Sequence, residues 1–353
     1  MKYIAIPIII LLLGCTSEKS AQADIHTQVS SLESIKATYQ VATWKHNAKG
    51  AYAIIFDDYC MNAQGIQDHA APEAEQRGLV IGFGVVTSFC DAHEWQRARE
   101  MIAAGHEVIN HSHTHRCGEL RSPWCVDVWS DADVDMEIDQ PANLIQTHTG
   151  TRPGFFIFPF DIFTQQKINH LRAAGYLGSR TGEKQKLTAA NFTDPFTELN
   201  FDVKFPVESA SSQKYGLNEY VDVAIAKGQF AFREVHGVDD QSWGRLTLEE
   251  LRNHFDYVQT KVQSYELWVA TISDVIRYNQ ARRLCHLQSG SDHQGDWVGI
   301  TGDAPVCHAG VALSLLFSGS SGVQLNDSQG ALVEPVNGTY SLLTGETYRI
   351  TNQ

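Results

Sequence analysis

Short apolar runs alternate along the chain with longer segments in which apolar residues recur at helical spacing. The runs are apolar throughout, which is typical of parallel strands buried on both faces. Predicted strands lie at residues 52–56, 79–86, 106–110, 155–158, 176–179, 201–205, 229–235 and 267–270. Because helices separate these strands, the pattern predicts an α/β fold, an irregular (β/α) barrel of about seven units over residues 45–283. An open doubly wound sheet is the alternative, but the sequence has no glycine-rich nucleotide-binding fingerprint.

The pattern changes after Arg283. Residues 284–353 contain few helix signals and many Gly, Ser, Asn and Thr residues, with short apolar stretches between turns. This composition predicts a small C-terminal β domain. We expect it to pack on the barrel without a site of its own, and glycan binding is the alternative role.

The N-terminus has the pattern of a bacterial lipoprotein signal. An apolar stretch at residues 4–13 is too short to span a bilayer and leads into a Leu-Leu-Gly-Cys lipobox that ends at Cys15. We therefore assign residues 1–15 to a signal peptide and a lipidated cysteine, followed by a polar tether at residues 16–44. Thr16 is not the aspartate linked to inner-membrane retention, so we predict an outer-membrane anchor facing the periplasm or the outside. A plain secretory signal is the alternative.

Cysteine usage agrees with export. Seven cysteines are present, and six remain when Cys15 is set aside, which favours disulfides in an oxidising compartment. Proximity along the chain favours the pairs Cys117–Cys125 and Cys285–Cys307. The remaining two, Cys60 and Cys90, both follow predicted strands, so their loops can meet on one barrel face. Zinc binding by cysteines is the alternative, and the absence of any Cys-x-x-Cys pair disfavours it.

Side chains that can bind a metal follow two predicted strands. Asp57 and Asp58 end one apolar run, and His111, His113 and His115 follow another. Adjacent acids raise each other's pKa unless a cation lies nearby. A carboxylate and two imidazoles would leave one position open for water, as catalytic zinc sites do. In a helical turn the first and third histidines share a face, whereas an extended segment would align all three, and a polar loop without metal is the alternative.

The order and spacing of these motifs resemble the polysaccharide deacetylases of carbohydrate esterase family 4. Their first motif, Thr-Phe-Asp-Asp-Gly, corresponds to residues 55–59, and their second, His-(Ser/Thr)-x-x-His, corresponds to residues 111–115. The resemblance covers roughly residues 48–280. It implies one divalent metal, zinc with cobalt or nickel as alternatives, bound by Asp58, His111 and His115. It also implies that Asp57 is the general base.

Later motifs match in part. The fifth motif, Leu-x-His, matches residues 234–236 only at its histidine, and the resemblance implies that His236 is the general acid. The third motif, Arg-x-Pro-Tyr-Gly, is the largest departure, because Ile157 stands at the arginine, Phe160 at the tyrosine and Asp161 at the glycine. One branch of the family reads Tyr-Pro-Tyr-Gly here, and residues 158–160 are closer to that form. The backbone N–H of Phe160 can still contribute to an oxyanion hole. Because of this departure, it is open which groups adjust the properties of the general base Asp57.

Two more positions differ from the family pattern. Tyr59 replaces the glycine of the first motif, which would narrow the site. No Asp-x-x-Asp-Trp fourth motif is found, so Asp202 is the remaining candidate for orienting His236.

These observations predict a lipid-anchored, metal-dependent hydrolase that removes N-acetyl groups, with O-acetyl groups as the alternative, from a cell-envelope or environmental glycan. In this mechanism Asp57 activates a water molecule and His236 protonates the departing amine. Two other functions remain open, an amidase on a small cyclic amide and a catalytically silent glycan-binding lipoprotein. The formal net charge of −14 argues against a nucleic-acid partner.

Overall fold

The computed structural model describes residues 30–32, 37–117, 129–318 and 323–352. The strands are β1 (Ser30–Leu32), β2 (Ala37–Val41), β3 (Gly50–Tyr59), β4 (Gly82–Val85), β5 (Glu107–Asn110), β6 (Phe155–Phe156), β7 (Gly178–Ser179), β8 (Asp202–Val203), β9 (Phe230–Val235), β10 (Leu267–Val269), β11 (His286–Asp292), β12 (Gly295–Thr301), β13 (Ala312–Ser318), β14 (Val323–Asn326), β15 (Leu332–Val333), β16 (Thr339–Leu343) and β17 (Thr347–Asn352). The α-helices are α1 (Ala71–Glu75), α2 (Ala92–Ala103), α3 (Asp131–Val134), α4 (Gln140–Thr149), α5 (Gln165–Ala173), α6 (Leu217–Lys227), α7 (Leu248–Gln263) and α8 (Ile272–Leu284). Two π-helical turns, Ile66–Ala70 and Asp135–Asp139, continue directly into α1 and α4.

A parallel sheet forms the larger part of the molecule. Its strand order is β7-β6-β5-β4-β3-β9-β8, and β10 pairs with the first residues of β3. A bridge between Lys184 and Phe201 joins the chain after β7 to the start of β8, which links the two edges of the sheet. This arrangement confirms the predicted irregular (β/α) barrel.

Alternate residues of the central strand β3 pack into two different hydrophobic cores. Ala51, Ala53 and Ile55 lie inside the barrel with Phe230 and Phe232 of β9. The residues between them point outward, into a second core that the surrounding helices complete. All ten residues of β3 are therefore buried, which explains why its sequence is apolar until it reaches its carboxyl end. The polar residues that follow lie at the edge where parallel barrels carry their chemistry.

The C-terminal β domain is a sandwich of two antiparallel sheets, of order β1-β2-β13-β16 and β11-β12-β17-β14-β15. Their shared core includes Leu287, Leu315 and Ile350. Tyr278 of the barrel helix α8 packs into the same core. The sandwich also contains β2, a strand from the segment predicted to be a tether, so that part of the prediction is wrong. This strand pairs with β13, because Tyr39 enters the sandwich core and its ring lies 6.0 Å from that of a phenylalanine of β13.

Two of the expected disulfides are present, Cys60–Cys90 at the site end of the barrel and Cys285–Cys307 at the start of the sandwich. The third expected pair, Cys117–Cys125, involves a residue outside the described ranges, and the predicted lipidation site Cys15 also lies outside them. In the described part of the chain, no helix combines the length and hydrophobicity needed to cross a membrane.

One carboxyl group of the barrel makes stability depend on pH. Burial raises the pKa of Glu107 to about 7 from 4.5, and hydrogen bonds from Ser273 only partly oppose that rise. The native state then binds more protons than the unfolded state between these values, so stability falls as pH rises through this window. We expect Glu107→Gln to reduce the fall and to be more stable than the parent above neutral pH, by on the order of 1–3 kcal/mol.

Urea unfolding of both proteins at about pH 5 and about pH 8 measures this difference. Glu334→Gln, at an exposed position of the sandwich, controls for the loss of one negative charge. An unchanged pH dependence in Glu107→Gln would contradict the assignment.

Candidate metal and catalytic site

The site begins where β3 ends. Asp57 and Asp58 are both buried there, and Asp58 has a left-handed backbone with φ of 66°. Residues other than glycine rarely adopt this conformation, and several of them in one region usually mark a functional site. The Cys60–Cys90 disulfide ties the loop after β3 to the loop after β4. The left-handed conformation recurs around the site at Cys60, Ser112, His115, Phe160 and Asp161.

The histidine motif folds as an irregular loop after β5. His111 donates from Nδ1 to the carbonyl of Ile157 over 2.9 Å, which leaves its Nε2 atom facing Asp58 Oδ1 at 3.4 Å. His115 directs its own Nε2 atom to the same oxygen at 3.2 Å. His113 turns away and bonds to Thr87. The three predicted ligands therefore converge, although the loop is not the helical turn that their spacing suggested.

Two buried polar residues that sequence reasoning missed hold this loop in place. Glu137, in the π-helical turn before α4, accepts hydrogen bonds from the backbone N–H groups of His113 and Thr114 at 3.0 and 2.9 Å. Asn110 accepts from the N–H of Ser112 at 3.0 Å and donates to the carbonyl of Ile138. The loop conformation thus depends on hydrogen bonds to a helix more than twenty residues away in sequence, for which no local pattern gives a signal.

The donor set fits a divalent metal. Asp58 Oδ1 is buried and has no hydrogen-bond partner among the described residues, although two imidazole Nε2 atoms face it. Burial acts to raise the pKa of Asp58, but His111 and His115 outweigh it and hold that pKa well below its usual range. The carboxylate is therefore ionised, as a metal ligand must be. One carboxylate and two imidazoles are a common catalytic zinc set.

Asp57 is held by an arginine that the sequence did not reveal. Arg180 follows β7, and its Nη1 and Nη2 atoms donate to Oδ1 and Oδ2 of Asp57 at 3.1 and 2.8 Å. This two-point contact fixes the plane of the carboxylate, because the guanidinium fork matches its geometry. Arg180 is as deeply buried as its partner. At the position where the third motif of the family has its arginine, this chain has only the apolar side chain of Ile157.

Arg180 also contacts two other acids. Its Nε atom donates to Asp161 at 2.9 Å, and its Nη2 atom lies 3.4 Å from Glu234. Lys184 reaches Asp161 from the surface at 2.9 Å. Burial acts to raise the pKa of Asp161, but the two cations hold it below its usual range. Burial raises the pKa of Glu234 well above its usual range, which Arg180 opposes only in part.

His236 follows β9 and faces Asp58 across the site. Its Nε2 atom lies 4.0 Å from Asp58 Oδ2, and the edge of its ring contacts Trp243 at 5.1 Å between centroids. Burial lowers the pKa of His236, and the nearby Asp57 and Asp58 only partly oppose this effect. Its Nδ1 atom is buried and unpartnered within the described ranges. Asp202, the sequence-based candidate for orienting it, instead points out of the barrel and pairs with Arg233, so that prediction is wrong.

Tyr59 and Phe160, the other two positions singled out in the motifs, lie on different sides of the sheet. The side chain of Tyr59 does not narrow the site, because its hydroxyl donates to Gln67 at 2.9 Å on the helix side. Phe160 has a half-exposed ring 4.9 Å from that of His115. It lies in the turn after β6, at the same end of the barrel as the candidate metal ligands.

Residues 45–178 match the family model described as polysaccharide deacetylase. The match confirms the resemblance that the first two motifs indicated, and it ends before Arg180, Glu234 and His236. Polysaccharide deacetylases are hydrolases that act on carbon–nitrogen bonds. A search of curated proteins found no match.

The solved structures that match this chain share little sequence with it. A peptidoglycan deacetylase from Bacillus subtilis is 14% identical, with a TM-score of 0.42 over 66% of this chain and 92% of its own. A family 4 carbohydrate esterase from Streptomyces lividans, in complex with acetate, is 17% identical, with a TM-score of 0.39 over 64% and 94%. The Bc1960 peptidoglycan N-acetylglucosamine deacetylase is 8% identical, with a TM-score of 0.43 over 65% and 89%.

Proposed function

We propose that this protein is a metal-dependent deacetylase that removes N-acetyl groups from a glycan. The observation that carries the proposal is the convergence of Asp58, His111 and His115 beside a second, differently held carboxylate, Asp57. One carboxylate is available to bind a cation, and its neighbour is kept for proton transfer. A polar loop with no metal-binding or catalytic role would not need two adjacent carboxylates held by different partners.

Asp58, His111 and His115 would hold the metal through one carboxylate oxygen and two Nε2 atoms. When bound, a divalent ion supplies Lewis acidity, which polarises an acyl oxygen and makes water a stronger nucleophile near neutral pH. The hydrogen bond from His111 Nδ1 to Ile157 fixes the tautomer that leaves Nε2 available. Zinc fits this donor set, and cobalt or nickel are alternatives.

The protein's own groups complete the reaction. Asp57 accepts a proton from the water that attacks the acetyl carbon, so that a C–O bond forms while the acyl oxygen gains negative charge. The backbone N–H of Phe160 would donate to that oxygen. His236 then gives a proton to the nitrogen as the C–N bond breaks, which releases acetate and a free amine. Polar atoms of Asp57 and His236 lie within 4.8 Å of each other, close enough to act on one acetamide group.

A glycan is the substrate class that the surroundings favour. Phe160 and Trp243 are both about half exposed, one beside His115 and the other beside His236. Aromatic faces of this kind pack against the apolar face of a sugar ring while polar groups bind its hydroxyls. The two rings therefore offer contacts to sugars on either side of the acetyl group that reacts.

Acetate release by purified residues 16–353, with added zinc or cobalt, tests the proposal. The substrates are chitin oligomers, β-1,6-linked N-acetylglucosamine oligomers, peptidoglycan and acetylated xylan, and the last reports O-acetyl activity. We expect release from one N-acetylated substrate, loss of release with a chelator and recovery with metal. Release that persists in metal-free protein would contradict the mechanism. If metal is bound but no substrate releases acetate, the result would favour a glycan-binding role.

We also propose that the protein is anchored in the cell envelope through a lipid on Cys15, which would bring it close to envelope glycans. Cys15→Ala should move the protein from the membrane fraction to the soluble fraction after export, because acyl chains supply the affinity for the bilayer. Immunoblots of fractionated cells measure this shift, and Ser17→Ala is the matched control. An unchanged distribution would show that the anchor lies elsewhere.

A further inference from the structure

Arg180 is the centre of a buried charge cluster at the carboxyl ends of the barrel strands. Its side chain is 2% exposed and contacts Asp57, Asp161 and Glu234, which come from three different parts of the chain. Asp161 follows β6, Arg180 follows β7 and Glu234 lies in β9. A buried arginine needs acceptors to offset the loss of hydration, and Asp57 and Asp161 accept its hydrogen bonds, while Glu234 lies 3.4 Å from its Nη2 atom.

Three of the positions around this cluster are those at which the sequence departs from the family motifs. Asp161 stands where the third motif has glycine, Glu234 stands where the fifth motif has leucine, and Ile157 stands where the third motif has arginine. Considered one at a time, each departure suggests a weakened site. In the structure, however, the two acidic departures both contact an arginine supplied by the next strand.

We infer that Arg180 is the positioning residue for the base Asp57, supplied by β7, and that Asp161 and Glu234 belong to the same unit. The inference rests on the proposed function, since it assigns a role in that reaction. The fork of Arg180 holds both oxygens of Asp57 in one orientation, in which Oδ2 lies 3.8 Å from Nε2 of His111 and an oxygen of Asp57 lies within 4.8 Å of a ring nitrogen of His236. Asp161 bonds to the remaining Nε atom and so fixes the arginine in turn.

The cluster also explains why the departures occur together. Without Arg180, Asp161 and Glu234 would be buried acids beside Asp57 without the buried cation that offsets their loss of hydration and their mutual repulsion when ionised. Without the acids, the guanidinium would contact Asp57 alone and would lack an acceptor for Nε. The two acids therefore allow an arginine at this position, and the arginine replaces the one missing from β6.

Arg180→Lys tests the positioning role directly, because lysine keeps the charge but cannot form the fork. We expect kcat for acetate release to fall on the order of 10- to 100-fold, with KM and the bound metal per chain little changed. Arg172→Lys, which makes the same exchange in the two-point surface pair of Arg172 with Asp194, is the matched control and should stay within about two-fold of the parent. A kcat for Arg180→Lys within that same range would overturn the inference.

Moving the arginine provides a second test. A triple variant, Arg180→Ser with Asp161→Gly and Glu234→Leu, removes the cluster together with its surplus charge and should fold and bind metal but turn over slowly. Adding Ile157→Arg restores the family arrangement and should recover roughly ten-fold or more of the lost kcat. A triple variant as active as the parent would overturn the inference, and so would a folded quadruple variant no faster than the triple.

A measurement without turnover separates this inference from the proposed function. In a double-mutant cycle of Arg180→Lys and Asp57→Asn, the unfolding constants should depart from multiplicativity by roughly ten-fold or more. Strong coupling in a parent protein that releases no acetate would support the contact between Arg180 and Asp57 and would contradict the proposed deacetylase function. Acetate release by the parent with no coupling between the two residues would reject the positioning role.

Discussion

Asp57→Asn is expected to abolish deacetylation and keep the metal, whereas Asp58→Asn is expected to lose both. The two carboxylates are adjacent and buried, yet the structure gives them different partners. Asp57 is held by Arg180, and Asp58 faces His111 and His115. Removing a general base costs about 10²- to 10⁴-fold in rate, so kcat of Asp57→Asn should fall on the order of 1,000-fold.

Two measurements on the same samples test this difference. Metal per chain, determined after dialysis, should stay near that of the parent in Asp57→Asn and fall to background in Asp58→Asn. Acetate release should be lost in both. Each variant is the control for the other, because the two changes are isosteric and remove the same charge from neighbouring positions. Metal loss in Asp57→Asn with retention in Asp58→Asn would reverse the assigned roles.

The largest expected effect on stability lies outside the site, at a buried ion pair. Arg233 and Asp202 are fully buried between the barrel and its helices, and their closest atoms are 2.8 Å apart. Arg233 also donates to the carbonyl of Gly216. Arg233→Met leaves a buried carboxylate without its partner, which typically costs about 3–5 kcal/mol. We expect that loss in the free energy of unfolding, measured with urea.

The double variant Arg233→Met with Asp202→Leu should recover much of this loss, because it leaves no charge uncompensated. Lys49→Met provides the comparison, since it breaks the Lys49–Glu266 pair, whose lysine side chain is 63% exposed. Exposed pairs contribute at most about 1 kcal/mol. Equal losses in Arg233→Met and Lys49→Met would show that burial does not govern this pair.

The pairing of Asp202 also shows that the absence of a family motif is weak evidence that another residue has taken over its role. Asp202 precedes Val203, which faces the barrel interior, and neighbouring residues of a strand point to opposite faces. Asp202 therefore cannot reach His236 inside the barrel, and only the absence of a fourth motif made it a candidate. The structure shows no carboxylate on His236 Nδ1 in the ranges described, and the ring packs against Trp243 instead.

The fold and the convergence of the three candidate metal ligands were predictable because both leave local signals. A strand buried on both faces must be apolar over its length, so the barrel strands were visible as uniform runs. Strand ends in a parallel barrel meet at one edge, so Asp58, His111 and His115 were expected to converge. The structure brings these three side chains together, although left-handed residues, and not a helical turn, produce the convergence.

What only the tertiary structure decided are the contacts between residues that are remote in sequence and carry no pattern of their own. Arg180 is 123 residues from Asp57, and β2 lies far before the sandwich strand β13 that it joins. The local sequence around an arginine that follows a short strand is the same whether its side chain faces solvent or a buried carboxylate. Which of the two it faces depends on how the strands pack around the barrel. The sequence by itself therefore determined which groups are available for the chemistry, and the packed barrel decided which groups hold them in position.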